Sequence, residues 1–169
     1  MPLWRLILQV LRVTFEFDQD GMHPLRGEAR FLLTLCTDFY QAPSHFGPVS
    51  TALVAQLARP NQNDVQSLVI PAIVGLVAAT ELSDQHKQLN AGILQHVRSD
   101  NAKVRLSAVQ CQRALTDRLG DDWLALLPEM LPFISELQED DDEIVERETL
   151  RWIQKIEETI GESLNPMLQ

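Results

Sequence analysis

A pattern of helical hairpins that returns about every 40 residues constrains the fold of this chain more than any other feature. Two sets of apolar positions and one pair of aspartates follow one another at offsets of 39 to 41 residues: Leu57, Val97 and Leu137; Val65, Val104 and Val145; Asp100 and Asp140. Self-similarity at a fixed period is typical of proteins built from stacked structural units. The sequence therefore predicts units that bury their apolar faces against one another.

Within each period the apolar residues have helical spacing. The clearest helix runs from Val104 to Leu119, where apolar residues recur in steps of three and four and so share one face. The preceding Ser99, Asp100 or Asn101 can cap the free amides at its start. Another apolar-periodic run comes before these polar residues, so the two helices are expected to form a hairpin.

Three hairpins of this kind are predicted, at residues 49–80, 85–120 and 122–161, followed by a short C-terminal tail. A period near 40 lies in the range of HEAT-type repeats and outside that of tetratricopeptide (~34) or ankyrin (~33) units. We therefore expect an all-α fold, an α-solenoid of stacked HEAT-type helical hairpins that forms an armadillo-like superhelix. Residues 1–48 are expected to form an N-terminal helical segment with an atypical insertion at residues 21–37.

Three prolines are expected to disturb the predicted helices. Pro128 and Pro132 lie in the first helix of the last hairpin, which should start late or bend, because proline lacks a backbone donor and collides with the preceding turn. Pro71 should do the same to the second helix of the first hairpin.

The charge of the chain argues against nucleic acid as a direct ligand. There are 14 Lys+Arg against 24 Asp+Glu, a net charge of −10, and no basic cluster is visible in the sequence. The electrostatic field of so acidic a chain repels the phosphates of a nucleic acid unless a local basic patch overrides it. The opening segment carries Arg5 and Arg12 and contains too few consecutive apolar residues to span a membrane. We therefore expect neither direct RNA contact nor membrane association.

Residues suited to catalysis or metal binding are scattered. None of the seven glycines forms a phosphate-binding loop, and His86 and His96 are too far apart along a helix to hold one metal ion. Cys36 and Cys111 lie in apolar stretches, which fits a reducing compartment, and Cys111 is expected to be a buried structural thiol. The sequence predicts no enzyme, no catalytic residue, no cofactor and no metal.

Two groups of charged residues are candidates for contacts. The acidic run Glu139, Asp140, Asp141, Asp142 and Glu143 predicts a solvated turn that caps the next helix. Its exposed surface either meets a basic segment of a partner protein or serves only the solubility of the chain. The run does not fit a calcium loop, which alternates its ligands and needs a central glycine. Asp100 and Arg105 can bridge turn and helix, and in stacked repeats they can reach the neighbouring hairpin as an inter-repeat ladder. Glu146 stands where Arg105 would recur, so the ladder should stop there.

Several stretches resemble one known family. LVIPAIVGLVAAT, SDNAKVRLSAVQ, LLPEMLPFISELQEDDDEIVE and the closing IEETIGESL are similar to the C-terminal HEAT domain of the large HEAT-repeat subunit of the small-subunit processome, in its UtpA subcomplex. QAPSHFGPVSTALVAQL resembles the entry into that domain in fungal members. The resemblance covers residues 38–169 and the opening helix.

The resemblance implies a non-catalytic scaffold in the nucleus and nucleolus. Such a protein supports transcription and maturation of the small-subunit ribosomal RNA through contacts with other UtpA subunits, and meets the pre-ribosomal particle through that assembly. Two alternatives stay open: a module that binds pre-ribosomal RNA directly, and an unrelated HEAT adaptor of transport or phosphatase type. Since the chain opens at once with an apolar helix, we expect it to be part of a longer protein.

Residues 21–37 interrupt the family pattern, which passes from a sequence like FEFDQD almost directly into DFYQAPSHFG. One hypothesis is a translated intron, because codons for Gly21-Met22 and Thr37-Asp38 can contain splice-site sequences and removal keeps the frame. The other is a true insertion. Under either hypothesis this segment should pack less well than the hairpins.

Overall fold

The computed structural model describes residues 43–78, 80 and 83–168. All regular structure in these ranges is helical. The predicted N-terminal segment and its insertion at residues 21–37 lie outside the described residues, apart from positions 43–48.

Eight α-helical segments run through the described ranges: α1 (Pro43–Ala55), α2 (Gln62–Asp64), α3 (Ile70–Ala78), α4 (Ser83–Val97), α5 (Ala102–Leu119), α6 (Asp121–Leu124), α7 (Leu127–Leu137) and α8 (Glu143–Ile160). A 3-10 turn (Gln56–Ala58) extends α1, and a π turn (Val65–Val69) joins α2 to α3. Another 3-10 turn (Asn165–Met167) lies in the C-terminal tail.

These segments form three helix pairs stacked in two layers. The first pair joins α1 to α2 and α3, the second joins α4 to α5, and the third joins α6 and α7 to α8. In one layer α1 packs on α4 and α4 on α7, and in the other α3 packs on α5 and α5 on α8. This arrangement confirms the predicted all-α solenoid, because each helix pair covers the apolar face of its neighbour.

The turn inside each pair ends in a capping side chain. Asn61, Asn101 and Asp142 have extended backbones and accept hydrogen bonds from the amides that open the second helix, at 2.9–3.3 Å. Of the three caps considered for α5, the structure uses Asn101. The repeat is therefore visible in the caps as well as in the apolar spacing.

Pro128 and Pro71 coincide with disturbed helices, whereas Pro132 lies inside the continuous helix α7. Asp121–Leu124 forms a separate turn, and the longer helix starts only at Leu127, with Pro128 in its first turn. Pro71 lies two residues after the π turn, whose wider backbone accommodates the missing donor and the bulk of the ring. α1 begins at Pro43, earlier than the predicted start at residue 49.

One apolar core runs through the three pairs. Its largest fully buried side chains come from every described layer: Leu57, Ile73, Leu89, Ile93, Leu115, Trp123, Met130, Ile134, Trp152, Ile156 and Leu164. α1 and α4 approach closely at Gly92, where a Cβ atom would lie 3.4 Å from Val54. Leu164 folds back from the tail, and the carboxylate of Glu157 accepts a hydrogen bond from its amide at 2.8 Å.

Candidate interaction surface

The acidic run lies in the turn between α7 and α8, and its carboxylates have two different roles. Asp142 is the N-cap of α8, where Oδ1 accepts from the amide of Ile144 at 2.9 Å. Asp140 turns inward, and its side chain is only 7% exposed. These two carboxylates are therefore used inside the fold.

Arg105 holds Asp140 in place across the boundary between the second and third pairs. Nε and Nη2 of Arg105 each donate to a different oxygen of Asp140, both at 2.8 Å. The amide of Asp142 also donates to Asp140, at 2.9 Å. Burial by itself would raise the pKa of Asp140, but these hydrogen bonds outweigh it and hold that pKa below its ordinary value. The hydrogen bond to Asp140 in turn raises the pKa of Arg105.

Glu139, Asp141 and Glu143 remain exposed on the outer side of the turn. The side chain of Asp141 is 92% exposed, although its Oδ1 lies 2.6 Å from Nη2 of Arg105. We call these three residues the acidic edge. They form the part of the predicted acidic surface that is available to another molecule.

Asp100 and Arg105, the pair predicted to bridge turn and helix, do not contact each other through both side chains. Arg105 reaches Asp100 only through the backbone carbonyl, at 3.3 Å, and also donates to the carbonyl of Ser99 at 3.0 Å. Its carboxylate partner belongs to the next turn, because the fork of the guanidinium points along the stack. One rung of a ladder therefore joins Arg105 to Asp140. At the place corresponding to Arg105, the first pair has Gln66 and the third has Glu146.

A second ion pair lies near this rung at the surface. Arg98, in the turn of the second pair, donates to both carboxylate oxygens of Glu136 in α7, and its guanidinium covers the ring of Phe133 at 4.3 Å. Both charged side chains are more than half exposed. The hydrogen bond to Arg98 lowers the pKa of Glu136.

Buried hydrogen bonds join the second pair to the third. Gln112 donates to Asn90 at 2.8 Å and accepts from the indole of Trp123 at 3.0 Å. The indole of Trp152 donates to the hydroxyl of Thr116 at 3.0 Å. Sequence reasoning missed this network, although polar residues at apolar positions of α4 and α5 were a signal that could have revealed it.

Ion pairs also join α5 to α8. The carboxylate of Glu148 is 5% exposed and lies 2.6 Å from Nε of Arg113 and 3.1 Å from Nη1 of Arg151. Lys155 lies 2.7 Å from Asp117. The contacts of Arg113 with Glu148 and of Lys155 with Asp117 combine residues more than thirty positions apart, so the linear pattern gave no indication of them.

The described residues that were considered for catalysis or metal binding are buried in the core or contact backbone carbonyls. Cys111 is fully buried in α5, and burial raises the pKa of its thiol far above the ordinary value, so the reactive thiolate is disfavoured. His86 contacts the carbonyl of Thr80 at 2.7 Å, and His96 contacts that of Gly92 at 3.0 Å. Among the described residues no group of three His, Cys, Asp or Glu side chains is placed to hold a metal ion. Cys36 lies outside that part of the chain.

None of the helices described above is long and apolar enough to cross a membrane. Their stacking in two layers, with a period near 40 residues, defines the class of the molecule, an α-solenoid of HEAT-type repeats. Proteins of this class offer extended surfaces for binding.

Relatives of the chain come from filamentous fungi. It is 50% identical over 167 residues to the U3 small nucleolar RNA-associated protein 10 of Chaetomium globosum. Proteins of the same name from Neurospora crassa and Pyricularia oryzae are 49% and 48% identical over 165 and 170 residues. No protein-family model matches the chain.

The similarity extends over almost the whole of this chain but over only a small part of each relative. It covers 96–99% of this chain but 8–9% of these relatives, in a C-terminal portion of them. The resemblance indicated by the sequence motifs is thereby confirmed, and the chain is related to that portion of the fungal proteins. Their name also agrees with the nuclear and nucleolar localisation that the resemblance implied.

Proposed function

We propose that the chain is a non-catalytic scaffold module of the nucleolar small-subunit processome. In this proposal it supports transcription and maturation of the small-subunit ribosomal RNA through protein contacts. The observation that carries the proposal is the similarity, at 48–50% identity over almost the whole chain, to proteins named for their association with a small nucleolar RNA. The three helix pairs would act as three HEAT-type repeats, corresponding to the divisions at residues 49–80, 85–120 and 122–161.

The proposed mechanism is the presentation of a rigid surface. The Arg105–Asp140 rung and the N-cap at Asp142 fix the backbone of the acidic turn, so the acidic edge projects from an ordered segment. An ordered edge loses little conformational entropy when a partner binds. Its charge suits basic segments of other UtpA subunits, and it would reach the pre-ribosomal particle through them.

Direct binding of pre-ribosomal RNA is the second candidate function. The relatives' name favours an RNA-containing assembly, whereas the net charge of −10 disfavours phosphate contact by this chain. A gel-shift assay with early pre-ribosomal RNA separates the two, because only the RNA-binding module would shift the RNA. An adaptor function in transport or phosphatase assemblies is the remaining alternative. It would be favoured if the tagged chain were purified from cells without any processome subunit.

The test is affinity purification of the tagged chain from fungal cells, with the UtpA subunits quantified by mass spectrometry. The test variant neutralises the acidic edge by Glu139→Gln, Asp141→Asn and Glu143→Gln. We expect recovery to fall about tenfold, because three rim contacts of roughly 0.5 kcal/mol each act together.

A matched control removes the same charge from three exposed carboxylates elsewhere, by Asp84→Asn, Glu129→Gln and Glu162→Gln. This control should recover the subunits as the unmodified chain does. If the unmodified chain recovers no UtpA subunit, the scaffold proposal is wrong. An equal loss in both variants would show that total charge, rather than the acidic edge, governs the association.

A further inference from the structure

The outward side of α8 carries an aliphatic and cationic surface. We call it the α8 patch and define it by Ile144, Arg147, Leu150 and Arg151 of α8 together with Arg113 of α5. Ile144, Arg147 and Leu150 follow one another at intervals of three positions, and Arg151 lies four positions after Arg147, so each of the other three neighbours Arg147 on the helix surface. Ile144 is 58% exposed and Leu150 51%.

Few large hydrophobic side chains are strongly exposed in the part of the chain that the structure describes. The three with the largest exposed fractions there are Ile144, Leu150 and Met167. Two of the three flank Arg147, one turn before it and one turn after it. Exposed apolar surface that is grouped and rimmed by polar residues marks contact sites for other proteins, whereas exposed aliphatic residues that stand alone are ordinary.

The α8 patch is positive although the chain is strongly negative. Arg113 and Arg151 share a single carboxylate, that of Glu148, which is 5% exposed and lies between them. Arg147 makes no ion pair within the described ranges. The carboxylates of Glu148 and of Glu143, one helical turn before Arg147, balance two of these three guanidinium groups, so one positive charge is left over on this face. The sequence predicted no basic patch, because Arg113 is far from the other two arginines along the chain.

The surroundings of the α8 patch favour an acidic peptide over a nucleic acid. Glu143 of the acidic edge lies one helical turn before Arg147, so a long polyanion that leaves the patch on this side would meet carboxylates. A short helix can avoid this edge, and its aliphatic side chains can cover Ile144 and Leu150, which phosphates cannot.

We propose that the α8 patch docks one amphipathic helix of another protein, with aliphatic residues on one side and glutamate or aspartate along their border. The aliphatic residues pack on Ile144 and Leu150, and the carboxylates pair with Arg147, Arg151 and Arg113. This inference rests on the proposed function in that it names a second kind of protein contact. It uses a different surface and the opposite charge from the acidic edge.

The test measures binding of the full chain to synthetic probes by fluorescence anisotropy. The first probe is a helical peptide whose leucines recur every three and four residues with glutamates beside them. In the second probe these glutamates are replaced by lysines. The third is a single-stranded uridine oligonucleotide. We expect the glutamate peptide to bind about tenfold or more tightly than either of the others, and added salt to weaken it.

Two variants address the α8 patch. Arg147→Glu should weaken the glutamate peptide about tenfold, the effect of reversing one charge-assisted contact. Ile144→Ser combined with Leu150→Ser should weaken it by a similar factor of about ten. The matched controls are Arg118→Glu, at an exposed arginine in the last turn of α5, and Met167→Ser. Each control should bind within about twofold of the unmodified chain, and circular dichroism should show all variants folded.

Several results would overturn the inference. These are equal binding of the glutamate and lysine peptides, absence of binding to the glutamate peptide, tighter binding of the oligonucleotide, or an equal effect of Arg118→Glu. The outcome is separate from that of the scaffold proposal. The peptide assay uses the isolated chain, whereas the purification experiment depends on the acidic edge in cells.

Discussion

The Arg105–Asp140 rung should contribute a measurable coupling energy between the second and third pairs. The two side chains are 12% and 7% exposed, and two charge-assisted hydrogen bonds of 2.8 Å join them. A hydrogen bond to a charged group contributes about 1.5–3 kcal/mol net of the bonds to water that it replaces, and burial of both charges offsets part of the sum. Because each group keeps other hydrogen bonds after its partner is removed, we expect a coupling energy of about 2 kcal/mol.

The perturbation is a double-mutant cycle of Arg105→Met and Asp140→Asn. Methionine retains most of the aliphatic stem of Arg105, and asparagine retains an oxygen that can accept from the amide of Asp142. Each single variant should lower the free energy of unfolding by about 2–3 kcal/mol, which shifts the thermal midpoint of a chain of this size by about 4–12 °C. The double variant should lose much less than the sum of the two.

The assay is urea denaturation followed by circular dichroism, with the coupling energy taken from the four unfolding free energies. The matched control is the cycle of Arg98→Met and Glu136→Gln, since both of these side chains are more than half exposed. Their coupling should be clearly smaller than that of the rung. A coupling energy below about 0.5 kcal/mol for Arg105 and Asp140, as in exposed pairs, would refute the argument from burial.

The buried polar groups and the buried thiol of this chain lead to three further expectations. The difference in free energy of unfolding between the unmodified chain and Asp140→Asn should be largest at neutral pH and shrink as the pH falls below about 4. The reason is that folding lowers the pKa of Asp140, so protonation of this carboxylate removes the stabilisation. Denaturation at several pH values measures this difference. Gln112→Leu should lower the free energy of unfolding by about 2–4 kcal/mol, because it leaves the buried indole of Trp123 and the side-chain carbonyl of Asn90 without hydrogen-bond partners. An unchanged urea midpoint would contradict this expectation. Cys111 should react with a thiol reagent only as fast as the chain unfolds, so rapid labelling of this residue under native conditions, located by peptide mapping, would contradict its burial.

Helical spacing and turn chemistry were enough to predict the solenoid and several of its details. The caps, the late start of α7 at Leu127 and the burial of Cys111 all depend on neighbours within one or two turns, and a linear sequence shows such neighbours directly. Pro71 indicated a disturbed helix but not its form, because several backbone solutions accommodate a proline.

Contacts between pairs could not be predicted in the same way. The sequence suggested that Arg105 could reach a neighbouring hairpin, but only the packing of the helices selects Asp140 over Asp100 as its carboxylate. The α8 patch has the same origin, since Arg113 joins Arg151 only when α5 and α8 lie side by side with Glu148 between them. The inner roles of Asp140 and Asp142 reduce the candidate surface from five carboxylates to the three of the acidic edge.

The polar contacts between α5 and α8 also fix how these two helices are aligned along their axes. Aliphatic side chains tolerate a shift along the helix axis, whereas a slip by one turn, about 5.4 Å, would separate Trp152 from Thr116, Glu148 from Arg113 and Lys155 from Asp117 together. These contacts lie on successive turns of α8 and so allow one alignment. Directional bonds thus set the alignment along the helix axis in which the third pair stacks on the second.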